Sequence, residues 1–348
     1  NLYFLTTEGV NIVKKAFDFP DNIYDVEKRM HRRGYLTSSE LKIAPRFVSH
    51  QYHLNCFVLD LKEMLGDVPI KYEDEKHIKN FVGIRPDGIL TTYDTDFFLE
   101  MDMGTETETQ LNEKWDNYRR FVSSNEFALK ERNIVVLFIT DGVVRIKQRQ
   151  DLIKNSINNR FLDIVNKDIE MYVGTKEELL NVVINKVIPV IKNRYEPIIN
   201  SKILLNQKFG YSIASGEKVA HFFGNTIYNM YIRKENSSTI DEYIVEEFFS
   251  EPMSTINRIA YMEYKNSTFK EKFKRPIKLI VLVDSEKSIF ENLKVFSLLG
   301  TSNVVFTTVD RLNTKPFHKA IFTLNSNGDI FHFKDDNLED RIFEAKVS

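Results

Sequence analysis

A single cysteine, Cys56, stands in 348 residues, so no disulfide framework can form within the chain and a thiolate zinc site is excluded. Cys56 lies inside an apolar helical pattern and reads as a small core residue, in keeping with a reducing, cytoplasmic compartment. No apolar run reaches the ~20 residues that a membrane-spanning helix needs. No secretory leader is legible either, so no membrane partner is expected. The chain opens on Asn1 instead of Met, and a native segment is expected upstream. Neither sign of charge is in excess: a net charge of −2 excludes a uniformly basic body that coats DNA, yet leaves room for a local basic stripe. GxGxxG, GxxxxGK[ST] and GxSxG are all missing, which removes the best support for dinucleotide, P-loop and serine-hydrolase readings.

What is present is an ordinary globular balance, 42% hydrophobic and 28% charged, at a length that exceeds what one core usually serves. Two or three domains are therefore expected. Residues 1–45 read as a short strand (Tyr3-Phe4-Leu5), a turn (Thr6-Thr7-Glu8-Gly9), a helix start (Val10, Ile12, Val13, Ala16, Phe17) and a Pro-bounded linker. The linker has room for a short helix and carries the basic cluster Lys28, Arg29, His31, Arg32 and Arg33. Over residues 46–195 the periodicity predicts a helix (46–65), three strands (78–84, 89–93, 96–102), a helix (106–123), a strand (133–140), a helix (145–165), a strand (169–173) and a helix (176–190). That order, α-β-β-β-α-β-α-β, predicts an α/β (α+β) domain with a mixed sheet and differs from a Rossmann alternation. Residues 196–348 read as a second α/β domain. Residues 218–256 lack clean periodicity; strands are expected at 258–265, 276–284 and 303–309, a helix at 286–299, and a hairpin joining 321–324 to 329–333. NIVVLFIT followed by DIEMYVG parallels KLIVLVDS followed by NVVFTTV, so the second domain reads as a degenerate repeat of the first.

The informative stretch is Arg85-Pro86-Asp87-Gly88, then Glu100-Met101-Asp102, then Gly104-Thr105-Glu106. Glu100 and Asp102 lie two apart on a strand and share a face with Phe98. Carboxylates gathered at strand ends repel unless a cation or proton joins them, and Mg²⁺ takes one or two carboxylates, several waters and the phosphate itself. A metal is therefore expected on Asp87, Glu100 and Asp102. On the following helix Gln110, Lys114 and Tyr118 fall at i, i+4 and i+8 on one stripe, with Arg119 and Arg120 at its far end. A lysine there can orient the attacking water or neutralise phosphate charge.

The block RPDG…FFLEMDMGTETETQLNEKWDNYRRF resembles the plasmid replication-relaxation family, and LTTEG at 5–9 is similar to the end of that family's wing. The resemblance covers roughly residues 1–195. It implies a truncated winged-helix remnant followed by a PD-(D/E)XK nuclease-like core that acts on DNA with Mg²⁺ or Mn²⁺. By position Asp87 matches the motif's Asp and Glu100 its acidic partner, while Asp102 stands where the nuclease lysine belongs. Lys114 then reads as a migrated lysine, and Gln110 with Tyr118 resembles a helix signature of RecB-like nucleases. The implied assignment makes Asp87, Glu100, Asp102 and Lys114 catalytic. Arg85, Gln110, Tyr118 and Arg119 bind substrate, and DNA is the partner; a second copy of the chain or replication or transfer proteins are the alternatives for a protein partner. A competing reading keeps the fold without turnover, as a DNA-binding or partner-recruiting factor. A third makes residues 200–348 an assembly interface. His50 and His53 read as structural; Lys147, Arg149 and Lys154 as surface charge; Glu263-Tyr264-Lys265 as an ExK on a strand; and the basic run from Lys265 to Lys278, with Phe269 and Phe273, as a solvated loop able to meet phosphate.

Overall fold

The computed structural model describes residues 6–16, 22–25, 30–33, 44, 47–75, 78, 81–161, 169–214, 230–235, 240–273, 278–291, 304–324, 330–332 and 344–345. The chain divides into two compact units, residues 1–59 and 60–348. In the first, α1 (Thr7–Ala16) starts earlier than its apolar spacing predicts. Thr6 accepts a hydrogen bond from the Gly9 N–H at 3.1 Å, so the expected Thr6–Gly9 turn is instead a capped first helical turn. The expected strand at Tyr3–Leu5 falls outside the described residues. Within the expected linker, β1 (Asn22–Asp25) pairs antiparallel with β2 (Met30–Arg33), a strand pair that the linker reading did not include. α2 (Val48–Leu65) carries buried Leu54, Phe57, Leu61 and Leu65 at helical spacing.

The second unit is mixed α/β. It continues with β3 (Lys71–Asp74), β4 (Gly88–Thr92), β5 (Thr95–Asp102), α3 (Glu108–Val122), α4 (Asn125–Ala128), β6 (Asn133–Thr140), α5 (Ile146–Phe161) and β7 (Ile169–Gly174). The sheet runs β3-β4-β5-β6-β7, antiparallel over its first two steps and parallel over its last two. The first strand is Lys71–Asp74, and the described residues of the expected strand 78–84 (78 and 81–84) are not in a strand: Ile78 and Ile84 are buried as loop residues that plug the core. α6 (Lys176–Val182), a π-helical turn at Val183–Val187, and α7 (Ile188–Ile191) form one continuous run, broken from α8 (Glu196–Ile203).

A second sheet follows: β8 (Ser212–Ala214), β9 (Met230–Glu235), β10 (Ile240–Glu247), α9 (Met253–Phe273), β11 (Lys278–Leu282), α10 (Glu286–Glu291), β12 (Val304–Thr307), α11 (Val309–Thr314), α12 (Phe317–Ala320), β13 (Phe322–Leu324), β14 (Ile330–His332) and β15 (Glu344–Ala345). β8, β9 and β10 are antiparallel, and β10, β11 and β12 are parallel. Direction for direction, this repeats β3 to β7, with a helix in each parallel crossover, and β13 to β15 are added at the edge. The two stretches that resemble one another in sequence occupy the fourth and fifth strand positions of each run. One expectation fails outright. Residues 258–265 are not a strand but the middle of the 21-residue helix α9. The expected hairpin near the C-terminal end is β13–β14, with its turn outside the described residues.

One hydrophobic cluster joins Phe98, Trp115, Phe138 and Ile157 to Ile244, Ile259 and Val281, so both sheets share a core. α5 contacts α3 and also α9. Tyr243, Val245, Ile280 and Leu282 face the other way, into a second cluster with Leu205, Tyr211, Leu312 and Ile321. No described helix is long and apolar enough to cross a membrane.

Candidate active site at the β4–β5–α3 junction

Register comes first. β4 and β5 turn through Tyr93-Asp94, with Tyr93 at φ 47°, and Arg132 closes the turn. Its Nε donates to Asp96 at 2.7 Å, and Nη2 reaches the carbonyls of Thr92 and Thr95 at 3.4 and 3.3 Å. With Gly88 thereby opposite Leu99, Asp87 lies just beyond the start of β4. Its N–H donates to the Leu99 carbonyl at 3.0 Å, and its Oδ2 accepts from the Met101 N–H at 2.8 Å. The PDG element is thus pinned to β5 on both sides of Asp87. Gly88 is required there because the Tyr72 ring crosses it: a Cβ would meet Tyr72 Cε2 at 2.9 Å and its hydroxyl at 3.1 Å. Gly88→Ala is expected to lower stability by about 1–3 kcal/mol through overpacking, read from the urea midpoint; an unchanged midpoint would show that Tyr72 yields freely.

α3 is aimed by both ends of its own sequence. Thr107 and Gln110 form a capping box, with the Thr107 N–H donating to Gln110 Oε1 at 2.7 Å and the Gln110 N–H to Thr107 Oγ1 at 3.3 Å. Leu111, Trp115, Tyr118 and Phe121 are buried, and the Trp115 indole N–H donates to Ser156 Oγ on α5 at 2.8 Å. The rotation of the helix is thereby fixed, and its residues from Gln110 to Tyr118 face Glu100 of β5 and the loop before β4 across a cavity of about 250 Å³. Six of the residues singled out in the sequence line it: Arg85, Asp87, Glu100, Gln110, Lys114 and Tyr118. Glu113 and Asn117 line it too. They lie at i+3 and i+7 from Gln110, so the helical period was the signal for them.

Glu100 is 3% exposed. It accepts a hydrogen bond from Tyr118 Oη at 2.5 Å and an ion-pair contact from Lys114 Nζ at 3.1 Å. Lys114 also reaches Glu106 at 2.9 Å and lies over the Phe138 ring at 5.1 Å. Burial pushes the Glu100 carboxyl up to about 7; Lys114 opposes this, Asp87 reinforces it, and the Tyr118 hydrogen bond opposes it. For Lys114 burial works downward, but Glu100, Glu106 and Asp87 outweigh it and hold the ammonium above its ordinary value. Burial, then the Glu100 charge, drives the Tyr118 phenol well up, so it stays a donor.

A stability prediction follows with a definite sign. Between pH 4.5 and about 7 the folded Glu100 binds a proton that the unfolded chain releases. Its contribution is therefore full below pH 4.5 and declines as pH rises to about 7, by about 3 kcal/mol in all. The unfolding free energy of Glu100→Gln minus that of the parent is expected to rise across this window. A difference flat from pH 4 to 8 would mean that Glu100 titrates normally.

Asp102 and Arg119 stand apart from the cavity. Both Asp102 oxygens are taken by Arg149 of α5, at 2.7 and 2.8 Å, and the carboxylate is fully buried. The three expected metal-binding carboxylates are thus not one group, and among the described residues no three His, Cys, Asp or Glu side chains gather to hold a metal. Asp87 and Glu100 remain as a hard-oxygen pair on one cavity, within the one or two carboxylates that Mg²⁺ takes from protein. Arg119 donates to the Arg160 carbonyl at 3.4 Å. Arg149 is 10% exposed and Lys154 8%, the latter paired with Glu251 at 2.8 Å. Neither is the solvated charge expected of it; Lys147, 59% exposed, is. Glu263 and Lys265 lie on a helix, not on a strand.

Residues 2–137 match the replication-relaxation family. The match encloses the Arg85–Phe121 block on which that resemblance was read, and it stops short of residue 195. The match covers less than half of the chain and likens this segment, not the whole protein, to replication-relaxation proteins. Comparison with curated proteins and with solved structures gives no match.

Proposed function

We propose that the chain is a DNA-processing protein of plasmid or mobile-element replication or transfer whose Asp87–Glu100–Lys114 cavity hydrolyses DNA phosphodiesters. The observation that carries this reading is the lysine of α3 set 3.1 Å from the acid of β5, on a cavity that Asp87 also lines. Asp87 and Glu100 would hold Mg²⁺ or Mn²⁺, and the ion would polarise the phosphate and lower the pKa of a water. Lys114 stays cationic beside them and neutralises charge developing on the phosphate. The Tyr118 hydroxyl orients Glu100. Arg85, Gln110 and Asn117 supply the cation and amides at the cavity wall that grip the strand. Asp102 serves as a brace.

A second reading, a DNA-binding or partner-recruiting factor without turnover, is favoured by one observation: Glu100 already has a counter-charge in Lys114 and a hydrogen-bond donor in Tyr118. Incubating supercoiled and single-stranded DNA with the protein and Mg²⁺, Mn²⁺ or EDTA separates the two. Metal-dependent nicking is the expected result. DNA retardation without nicking under every metal condition leaves the binding factor.

A further inference from the structure

The side chain that joins most of this site is one the cavity does not contain. Arg149, on α5, donates through Nε and Nη2 to the two oxygens of Asp102 and through Nη1 to the Glu106 carbonyl at 2.7 Å. Asp102 is the last residue of β5, and Asp102 Oδ1 also accepts from the Gly104 N–H at 3.1 Å. The connection from β5 to α3 is thereby fastened at its start, at Gly104 and at Glu106. Glu106 then turns its own carboxylate to Lys114 at 2.9 Å, and Lys114 reaches Glu100 at 3.1 Å. A planar guanidinium suits this task, since its fork holds a carboxylate bidentately with a donor left for a carbonyl. A lysine offers a point charge and no fork.

We propose that Arg149 is a positioning residue: acting through Asp102 and the Glu106 carbonyl, it sets where the Lys114 ammonium stands against Glu100. Its consequence for cleavage rests on the nuclease reading above, whereas its consequence for Lys114 does not. The relay is serial. Loss of Arg149 frees the segment that carries Glu106, and loss of the Glu106 carboxylate frees Lys114 directly, so the second loss leaves the first with little more to release.

The test measures Lys114 itself, in the full-length protein. Its rate of reductive methylation is followed by peptide mass spectrometry against exposed Lys147 in the parent, Arg149→Gln, Glu106→Gln and the double variant, with circular dichroism confirming folding. Each single change is expected to speed Lys114 labelling by about fivefold, and the double variant to match Glu106→Gln alone. Arg149→Lys, which keeps the charge and loses the fork, serves if Arg149→Gln does not fold; it too is expected to speed labelling. Unchanged labelling in a folded Arg149 variant overturns the proposal, and so does a double variant whose effect is the product of the singles. A parallel assay of metal-dependent nicking is expected to show kcat reduced about tenfold in Arg149→Lys with KM little altered. Absence of nicking in the parent would count against the nuclease reading alone, because the labelling result stands without it.

Discussion

Glu100→Gln is expected to abolish metal-dependent nicking, by about 10³-fold or more, while leaving DNA retardation in EDTA within about twofold of the parent. The substitution keeps shape and the Tyr118 contact but removes the negative charge that would meet both the metal and Lys114. Asp87→Asn should show the same split, because its carboxylate lines the same cavity. Lys114→Met should lower kcat by about 10²-fold with KM nearly unchanged if its charge is used at the reacting phosphate. The measurement is a nicked-circle time course at saturating Mg²⁺ and again at saturating Mn²⁺. Equal nicking by parent and Glu100→Gln preparations would trace the activity to a contaminant or another site. Weakened retardation in the variants without EDTA would mark the acids as binding groups only.

Arg258→Met is expected to cost about 3–5 kcal/mol of stability, the largest single loss anticipated outside the cavity. Arg258 is 4% exposed and pairs with Glu246, which has no exposure, at 3.2 Å; it also approaches Glu170 at 4.0 Å and donates to Ser254 and Thr255. Removing the cation strands a carboxylate where water cannot reach it. The double change Arg258→Met with Glu246→Leu should recover most of that loss, since well-packed apolar residues replace buried ion pairs at little cost. Urea denaturation of the three proteins decides. A single variant within 1 kcal/mol of the parent would mean that water reaches the pair. Nicking per folded molecule should be unaffected, because no residue of this network lines the cavity.

The parts of the site legible in the sequence were those held by local spacing. Glu100 and Asp102 sit two apart on one strand, and Gln110, Lys114 and Tyr118 follow the helical repeat, so faces could be assigned without knowing the fold. What escaped was set by distant partners. Arg149 meets Asp102 across 47 residues, and nothing local distinguishes it from a solvated arginine. Tyr72, whose ring imposes glycine at position 88, sits on a short strand of charged residues, Lys71–Asp74, that shows no apolar alternation. The apolar signal just after it, Ile78 and Ile84, belongs to loop residues. α9 was read as a strand for a related reason: residues 252–260 are all buried, so the helix has no exposed face there to mark a helical period, and its Ile and Tyr content favours the strand reading. β10 was hidden by Glu246 and Glu247, charges tolerated inside only because Arg258 and Lys186 neutralise them.

The core common to the two sheets ties their fates together. Phe98, Trp115 and Ile157 lie in one cluster with Ile244, Ile259 and Val281, so melting either half uncovers the oily flank of the other. Cooperativity then spans the whole second unit. A destabilising change near β12 is then expected to lower the unfolding free energy of the half that carries Glu100 as well, without any contact between them.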